Sequence, residues 1–190
     1  MSIREHLLTN RADILSSWIG RTFATYPADS VRFFATRSDR FANPVGDTIK
    51  RGLSAVFDSL VAGADPERLR EDIDAVIRLR SVQNFSAQDA VGFVFALKEI
   101  VHASLNGHAG ESALREDLSA FDRRVDQLAL LAFDLYMSCR EQVYDIRARE
   151  EKARSAKLLA RAHQIIERHA TGQKITRDDI TPQVEGGERQ

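Results

Sequence analysis

Between Gly110 and Gly172 the chain contains neither glycine nor proline, so nothing in that stretch of backbone stops a helix once it has started. Leu114, Leu118, Phe121, Val125, Leu128, Ala132, Leu135 and Cys139 follow one another at spacings of four and three, which is the repeat of a heptad seam. The phase then shifts by one through Val143 and Ile146. A charged stretch runs from Arg147 to Arg154 before Leu158, Leu159, Ala162, Ile165 and Ile166 resume the pattern. Unbroken to about Ala170, such a helix would be roughly 90 Å long at 1.5 Å per residue, more than a small domain can cover. Leu130, Leu131 and Phe133 widen the apolar face of its first half enough to pack against a domain. The second half, from about Val143, carries a thinner stripe. Two courses are open to it: it projects and pairs with a second copy, or the chain bends near Arg147 to Arg154 and folds back.

Upstream, the four prolines and ten glycines fall where helical periodicity breaks. Ser2 with Glu5 reads as a capping box. Ile3, Leu7, Leu8, Ile14, Leu15, Trp18, Ile19 and Phe23 then keep helical spacing up to the stop before Pro27. A short helix is expected over 28–36 with Val31, Phe33 and Phe34 turned inward. Asn43-Pro44 is a start signal, because Asn caps free amides and Pro at the first helical position gives up no hydrogen bond. Ile49, Leu53, Val56, Phe57 and Leu60 carry that helix towards Gly63. Asp65-Pro66-Glu67 restarts the pattern through Leu69, Ile73, Val76 and Ile77. Ser86, with Asp89 three residues on, opens a helix whose apolar residues, Val91 and Phe93 to Leu105, nearly encircle it; that predicts the central core helix.

The fold class expected from this is all-α, a helical bundle with a long carboxy-terminal helix. The expected division is a helical domain over 1–142, an extension over 143–171 and a flexible tail over 172–190. Twenty-seven Lys and Arg against 28 Asp and Glu give a net charge of -1, so no global field draws the chain to nucleic acid or an anionic membrane. The amino terminus lacks the apolar core of a signal peptide, and no run reaches the ~18 apolar residues that span a bilayer. A cytoplasmic location is the expectation. Cys139 is the only cysteine, which excludes an internal disulfide and a cysteine-based zinc cluster.

Two segments carry more than periodicity: Asp39-Arg40-Phe41-Ala42-Asn43-Pro44-Val45-Gly46, and Ile77-Arg78-Leu79-Arg80-Ser81-Val82-Gln83-Asn84-Phe85-Ser86 continuing into Ala90-Val91-Gly92-Phe93-Val94-Phe95. Together they resemble the amino-terminal domain of the RsbRD type, among the RsbT co-antagonist proteins of bacterial stress signalling, over roughly Ile14 to Leu135. The resemblance implies a helical sensory or protein-interaction module set before a separate output domain. Its RsbR relatives imply a dimeric, globin-like module without haem, with a long helix leading to the output. Nothing after Gly172 is long enough for an output domain, so the expectation is action on a partner in trans.

Arg80 is the most informative single residue. It follows Leu69, Ile73 and Val76 at helical spacing, so its guanidinium leaves on the apolar face and needs a carboxylate or several carbonyls. Asp47 and Asp39 are the candidate partners. One reading is an internal clamp between helices; the other is an anionic-ligand or switch site built from Arg40, Asn43, Arg80 and Gln83. Asn43 to Gly46 presents helix-start amides, though capping and close packing at Gly46 explain that turn more simply. Arg78 lies four residues after Asp74 and reads as an exposed helix pair.

His102 is the histidine expected inside the core region, but Lys98 one turn earlier points that edge to solvent, which argues against haem. His163 and Glu167 share a helix face, and two ligands do not make a metal site. Cys139 on the seam reads as a small buried hydrophobe. With no catalytic constellation and no phosphate loop in the sequence, the expectation is a noncatalytic sensory or regulatory homodimer without cofactor or metal, acting on a protein partner. A structural adaptor of a larger complex is the alternative, and a haem or small-molecule sensor a weaker one.

Overall fold

In the computed structural model the chain is described over residues 2–28, 30–31, 34, 43–83, 85–105 and 112–170. Among these the elements are α1 (Ile3–Thr9), α2 (Arg11–Phe23), α3 (Pro44–Ala62), α4 (Pro66–Val82), α5 (Ala87–Ser104) and α6 (Ser112–Ala170). The class is all-α with a long carboxy-terminal helix, as the periodicity requires. The chain divides into two compact units, Met1–Gln142 and Val143–Gln190. The expected tail over 172–190 and most of the short helix expected over 28–36 lie outside the described residues.

The start signals act locally, and each closes a hydrogen bond. Ser2 Oγ accepts from the Glu5 amide at 3.2 Å while Glu5 Oε2 accepts from the Ser2 amide at 2.9 Å. Asn43 accepts from Gly46 N at 2.9 Å, Asp65 from Arg68 N at 2.9 Å and Ser86 from Asp89 N at 3.1 Å. One break has no Pro or Gly to announce it: the first helical run divides at Asn10, whose amide nitrogen donates back to the His6 carbonyl at 2.9 Å. This side-chain competition for backbone is why Asn favours helix ends.

The first unit is held by pairs of these helices. Gly52 lies against α4 so closely that a Cβ there would sit 2.4 Å from Val76 Cγ2. Val76 is fully buried and β-branched, and has little room to yield. Gly52→Ala is therefore expected to destabilise the protein by about 1–2 kcal/mol, overpacking outweighing the gain in helix propensity. Urea unfolding checks this, and an unchanged or raised midpoint would contradict it. At the other end of α3, Gly63 adopts φ 79°, the left-handed closure that glycine allows. Arg124 of α6 donates there to the Ser59 and Ala64 carbonyls at 3.3 and 3.2 Å, and burial pushes its guanidinium pKa down.

Trp18 is wholly buried, its Nε1 donating 2.8 Å to the Phe93 carbonyl, which ties α2 to α5. The heptad seam of α6 is spent within this unit. Leu114, Phe121, Val125, Leu128, Ala132 and Leu135 are buried in the core, with Leu118 packed against it. Among the described residues of the second unit, α6 turns none fully inward. Tyr144, Ile146, Leu158, Leu159 and Ile166 are all more than half exposed.

Candidate functional site

Arg80 sits in the last turn of α4, in register with buried Leu69, Ile73, Val76 and Ile77, and is itself 0% exposed. It is capped by aromatic rings from three places in the sequence. Its Cζ lies 4.2 Å from the Phe85 ring centre, 5.1 Å from Tyr26 and 5.2 Å from Phe93. Such contacts contribute roughly 0.5–2 kcal/mol each when desolvated. Nη2 donates to Thr25 Oγ1 at 2.8 Å and to the Asp89 carbonyl at 2.7 Å. Nε and Nη1 are buried with no hydrogen-bond partner among the described residues.

The partner is thus not Asp47, whose carboxylate lies 3.6 Å from Arg51; Asp39 lies outside the described residues. Among the described residues a hydroxyl, one carbonyl and three ring faces surround the guanidinium, and no acid side chain bonds it. Burial pushes the Arg80 pKa down, with Tyr26 and Asp89 opposing, yet a guanidinium keeps its proton. The Tyr26 phenol is pushed up by burial, against the pull of Arg80.

Of the four residues read as a site, Arg40 lies outside the described residues. The other three are linked through the cage. Tyr26 OH donates to Gln83 Oε1 at 3.0 Å, Tyr26 packs edge-on against Phe34 at 5.2 Å, and Asn43 Nδ2 donates to the Phe34 carbonyl at 3.2 Å. Asn43 is buried and Gln83 exposed. Gly46 is packed against Asn43, a Cβ there falling 2.4 Å from Asn43 Nδ2. From α6, Tyr136 OH donates to the Phe85 carbonyl at 2.8 Å and Arg140 to the Ser81 carbonyl at 3.3 Å, bracing the corner between α4 and α5. The cage itself went unread in the sequence. Phe85 and Phe93 belong to the second motif, but Tyr26 lies far from Arg80 along the chain and reaches it only through folding.

The remaining candidates fall as follows. Arg78 pairs with Asp74 at 2.6 Å, the exposed helix pair expected of it. Cys139 is buried. His102 is not inside the core: its side chain is 48% exposed and its Nε2 lies 2.9 Å from Asp122. Among the described residues the buried histidine is His6, 2.9 Å from Ser104 Oγ through Nε2. Ser104 gives its own proton to the Val101 carbonyl, so its oxygen accepts, which fixes the Nε2–H tautomer of His6. His163 is exposed and turned to the Leu159 carbonyl. Among the described residues no group of three or more His, Cys, Asp or Glu is placed to hold a metal, and no helix is long and apolar enough to cross a membrane.

Three apolar residues expected to pack inward do not. Leu130 is 68% exposed, Phe95 47% and Phe133 44%. They line a groove of about 480 Å³ between α5 and the first half of α6, together with Val91, Gly92 and Ala129. Apolar width along a helix indicates that something covers the face, not that the helix's own domain does.

Comparison with known proteins places this architecture. An uncharacterized protein of Archaeoglobus fulgidus is 27% identical over 145 residues, covering 76% of this chain and 86% of its own. No solved structure matches. Residues 12–151, which take in the Arg80 cage and the groove, match the RsbT co-antagonist protein rsbRD N-terminal domain, and the chain belongs to that family of regulatory signalling domains.

Proposed function

We propose that the chain is a noncatalytic regulatory module of stress signalling that pairs with a second copy of itself and acts in trans on a separate cytoplasmic protein. One observation carries this reading. The helix that completes the core of the first unit continues into the second as a helix with Tyr144, Leu158, Leu159 and Ile166 exposed. A stretch with that much uncovered apolar surface gains stability only from a partner, and a second copy is the simplest. In this reading residues 1–142 form the input domain and the helix from Val143 is the pairing and output element.

The α4–α5 corner is the switch. A regulatory domain needs two packings of similar free energy and an effector that prefers one. A buried cation with no acid partner among the described residues supports that role, because it leaves the closed packing less favourable than a wholly apolar corner would be. Asn43, Arg80 and Gln83 are the described residues through which an anionic effector would act, with Arg40 the fourth.

Light scattering across micromolar concentrations tests the pairing, and twice the chain mass is the expected result; a monomer throughout would remove it. Removing the residues after Val143 is expected to abolish recovery of the regulatory partner. Recovery undiminished by that truncation would overturn the output role of the helix. Recovery of a large constitutive assembly instead would favour a structural adaptor.

A further inference from the structure

We infer that the helix beyond Val143 takes an acidic amphipathic helix of the regulatory partner, whose carboxylates recur every seven residues and pair with a row of arginines. This rests on the reading of that helix as the output element and names the chemistry of what it acts on.

The row is Arg147, Arg154, Arg161 and Arg168, all exposed and each seven residues after the last. A helix turns nearly the same side outward every seven residues, so they stand in one line about 32 Å long at 1.5 Å per residue. Leu158, Ala162 and Ile165, spaced by four and three, run beside it as an apolar stripe. Leu159 and Ile166 widen that stripe on the side away from the arginines, and Leu158, Leu159 and Ile166 are 59, 62 and 65% exposed. Each arginine thus occupies the heptad position flanking a seam, where ion pairs between helices set the choice of partner.

A second copy does not supply the acids. Laid parallel, it sets Arg147 against Lys152, Arg154 against Leu159 and Arg161 against Ile166; laid antiparallel, it sets arginine against arginine. Self-pairing through the seam therefore leaves the row facing outward, with the arginines of one copy and Leu159 and Ile166 of the other lining the same groove. A helix with apolar residues and carboxylates side by side fits that groove. Nor does the helix neutralise itself there: from Lys152 to Ile166 it carries Lys152, Arg154, Lys157 and Arg161 and no acidic residue. A planar guanidinium pairs with a carboxylate through two hydrogen bonds. The row accordingly selects the partner and its register, while Leu159 and Ile166 provide the apolar burial.

A lipid surface fits less well. An interfacial helix sets cations along both edges of its apolar face, from where they reach headgroups on either side. Here the arginines hold one edge, and Leu159 and Ile166 hold the other. A nucleic-acid backbone would engage the cations and leave those apolar side chains uncovered.

Fluorescence anisotropy on the full chain tests this with two synthetic four-heptad peptides of one composition. The first has leucine at both seam positions and glutamate at the flanking ones; the second exchanges those glutamates with the neutral residues of its outer face. The first is expected to bind, and the second to bind at least about ten-fold more weakly. Arg154→Glu combined with Arg161→Glu, both at exposed positions, is expected to keep the helical circular dichroism. It is expected to bind the first peptide at least about ten-fold more weakly and to gain binding to that peptide's lysine counterpart. Such an exchange of preference does not arise from a loss of folding. Equal binding of the two acidic peptides, or of neither, makes the row an ordinary solvated face and overturns the inference. The output reading then stands if truncation after Val143 still abolishes recovery of the partner, and falls with the inference if it does not. Binding to phosphatidylserine vesicles or to duplex DNA in place of the acidic peptide assigns the row to that surface and overturns the inference as well.

Discussion

Trp18→Ala is expected to lower the stability of the first unit by about 3–5 kcal/mol, the cost of truncating a large aromatic side chain in a packed core. Trp18 has no exposed surface, lies 6.3 Å from the Phe93 ring and hydrogen-bonds the Phe93 carbonyl. It therefore joins α2 to the same helix that supplies one wall of the Arg80 cage. Against a typical domain stability of ~5–15 kcal/mol, the loss removes a large share of the total. Trp18→Phe separates the contributions, because it keeps most of the ring and removes only the N–H, a loss of roughly 1 kcal/mol plus a small cavity. Chemical denaturation of the three proteins reads both steps. A Trp18→Ala midpoint close to wild type would mean that α2 is not integral to the core, and a Trp18→Phe cost equal to that of alanine would mean that the hydrogen bond, not the packing, joins the helices.

What the sequence discloses divides along the range of the interactions. Ser2, Asn43, Asp65 and Ser86 each cap an amide three residues away, so their effect is complete within one turn and visible in the spacing alone. The α6 seam is equally plain, since a heptad repeat needs only one helix to exist. What lies against that seam is another matter: the helix's own domain covers Val125 and Leu128, yet leaves Leu130 and Phe133 exposed a few residues along. Periodicity records that a face is apolar and is silent about whose surface meets it. Asn10 escapes for the opposite reason. Its break is local, but the same residue type is tolerated inside helices, and no Pro or Gly marks the point.

The candidate site follows the same division. The burial of Arg80 is readable because it shares a helix face with Ile73, Val76 and Ile77, whereas its partners are set by tertiary packing. A cation on an apolar face calls for compensation, and an acid is the commonest form of it. Here Tyr26, Phe85 and Phe93 supply ring faces instead. An aromatic residue in a sequence reads as core whether or not a cation lies beneath it, so the cage leaves no separate signal.

The cage leads to an expectation opposite in sign to that for Trp18: Arg80→Met is expected to stabilise the protein by about 1–3 kcal/mol, a rise of several degrees in melting temperature. Desolvating a guanidinium costs several kcal/mol. Three cation–π contacts and two charge-assisted hydrogen bonds offset most of that, but Nε and Nη1 remain without partners among the described residues. Methionine has a similar length, no polar atom to desolvate and a sulfur suited to aromatic surroundings. Of the groups it abandons, Thr25 Oγ1 keeps its own bond to the Thr22 carbonyl at 2.7 Å. Arg80→Ala, which leaves a void between three rings, is expected instead to cost about 2–5 kcal/mol. The pair of variants thus separates charge from volume, and thermal and urea unfolding read both. If Arg80→Met melts below wild type by more than about 1 kcal/mol, the cage more than repays desolvation and Arg80 is an internal clamp. If it melts above while losing response to the partner, the arginine is retained at a cost in stability for the two-state behaviour that regulation requires.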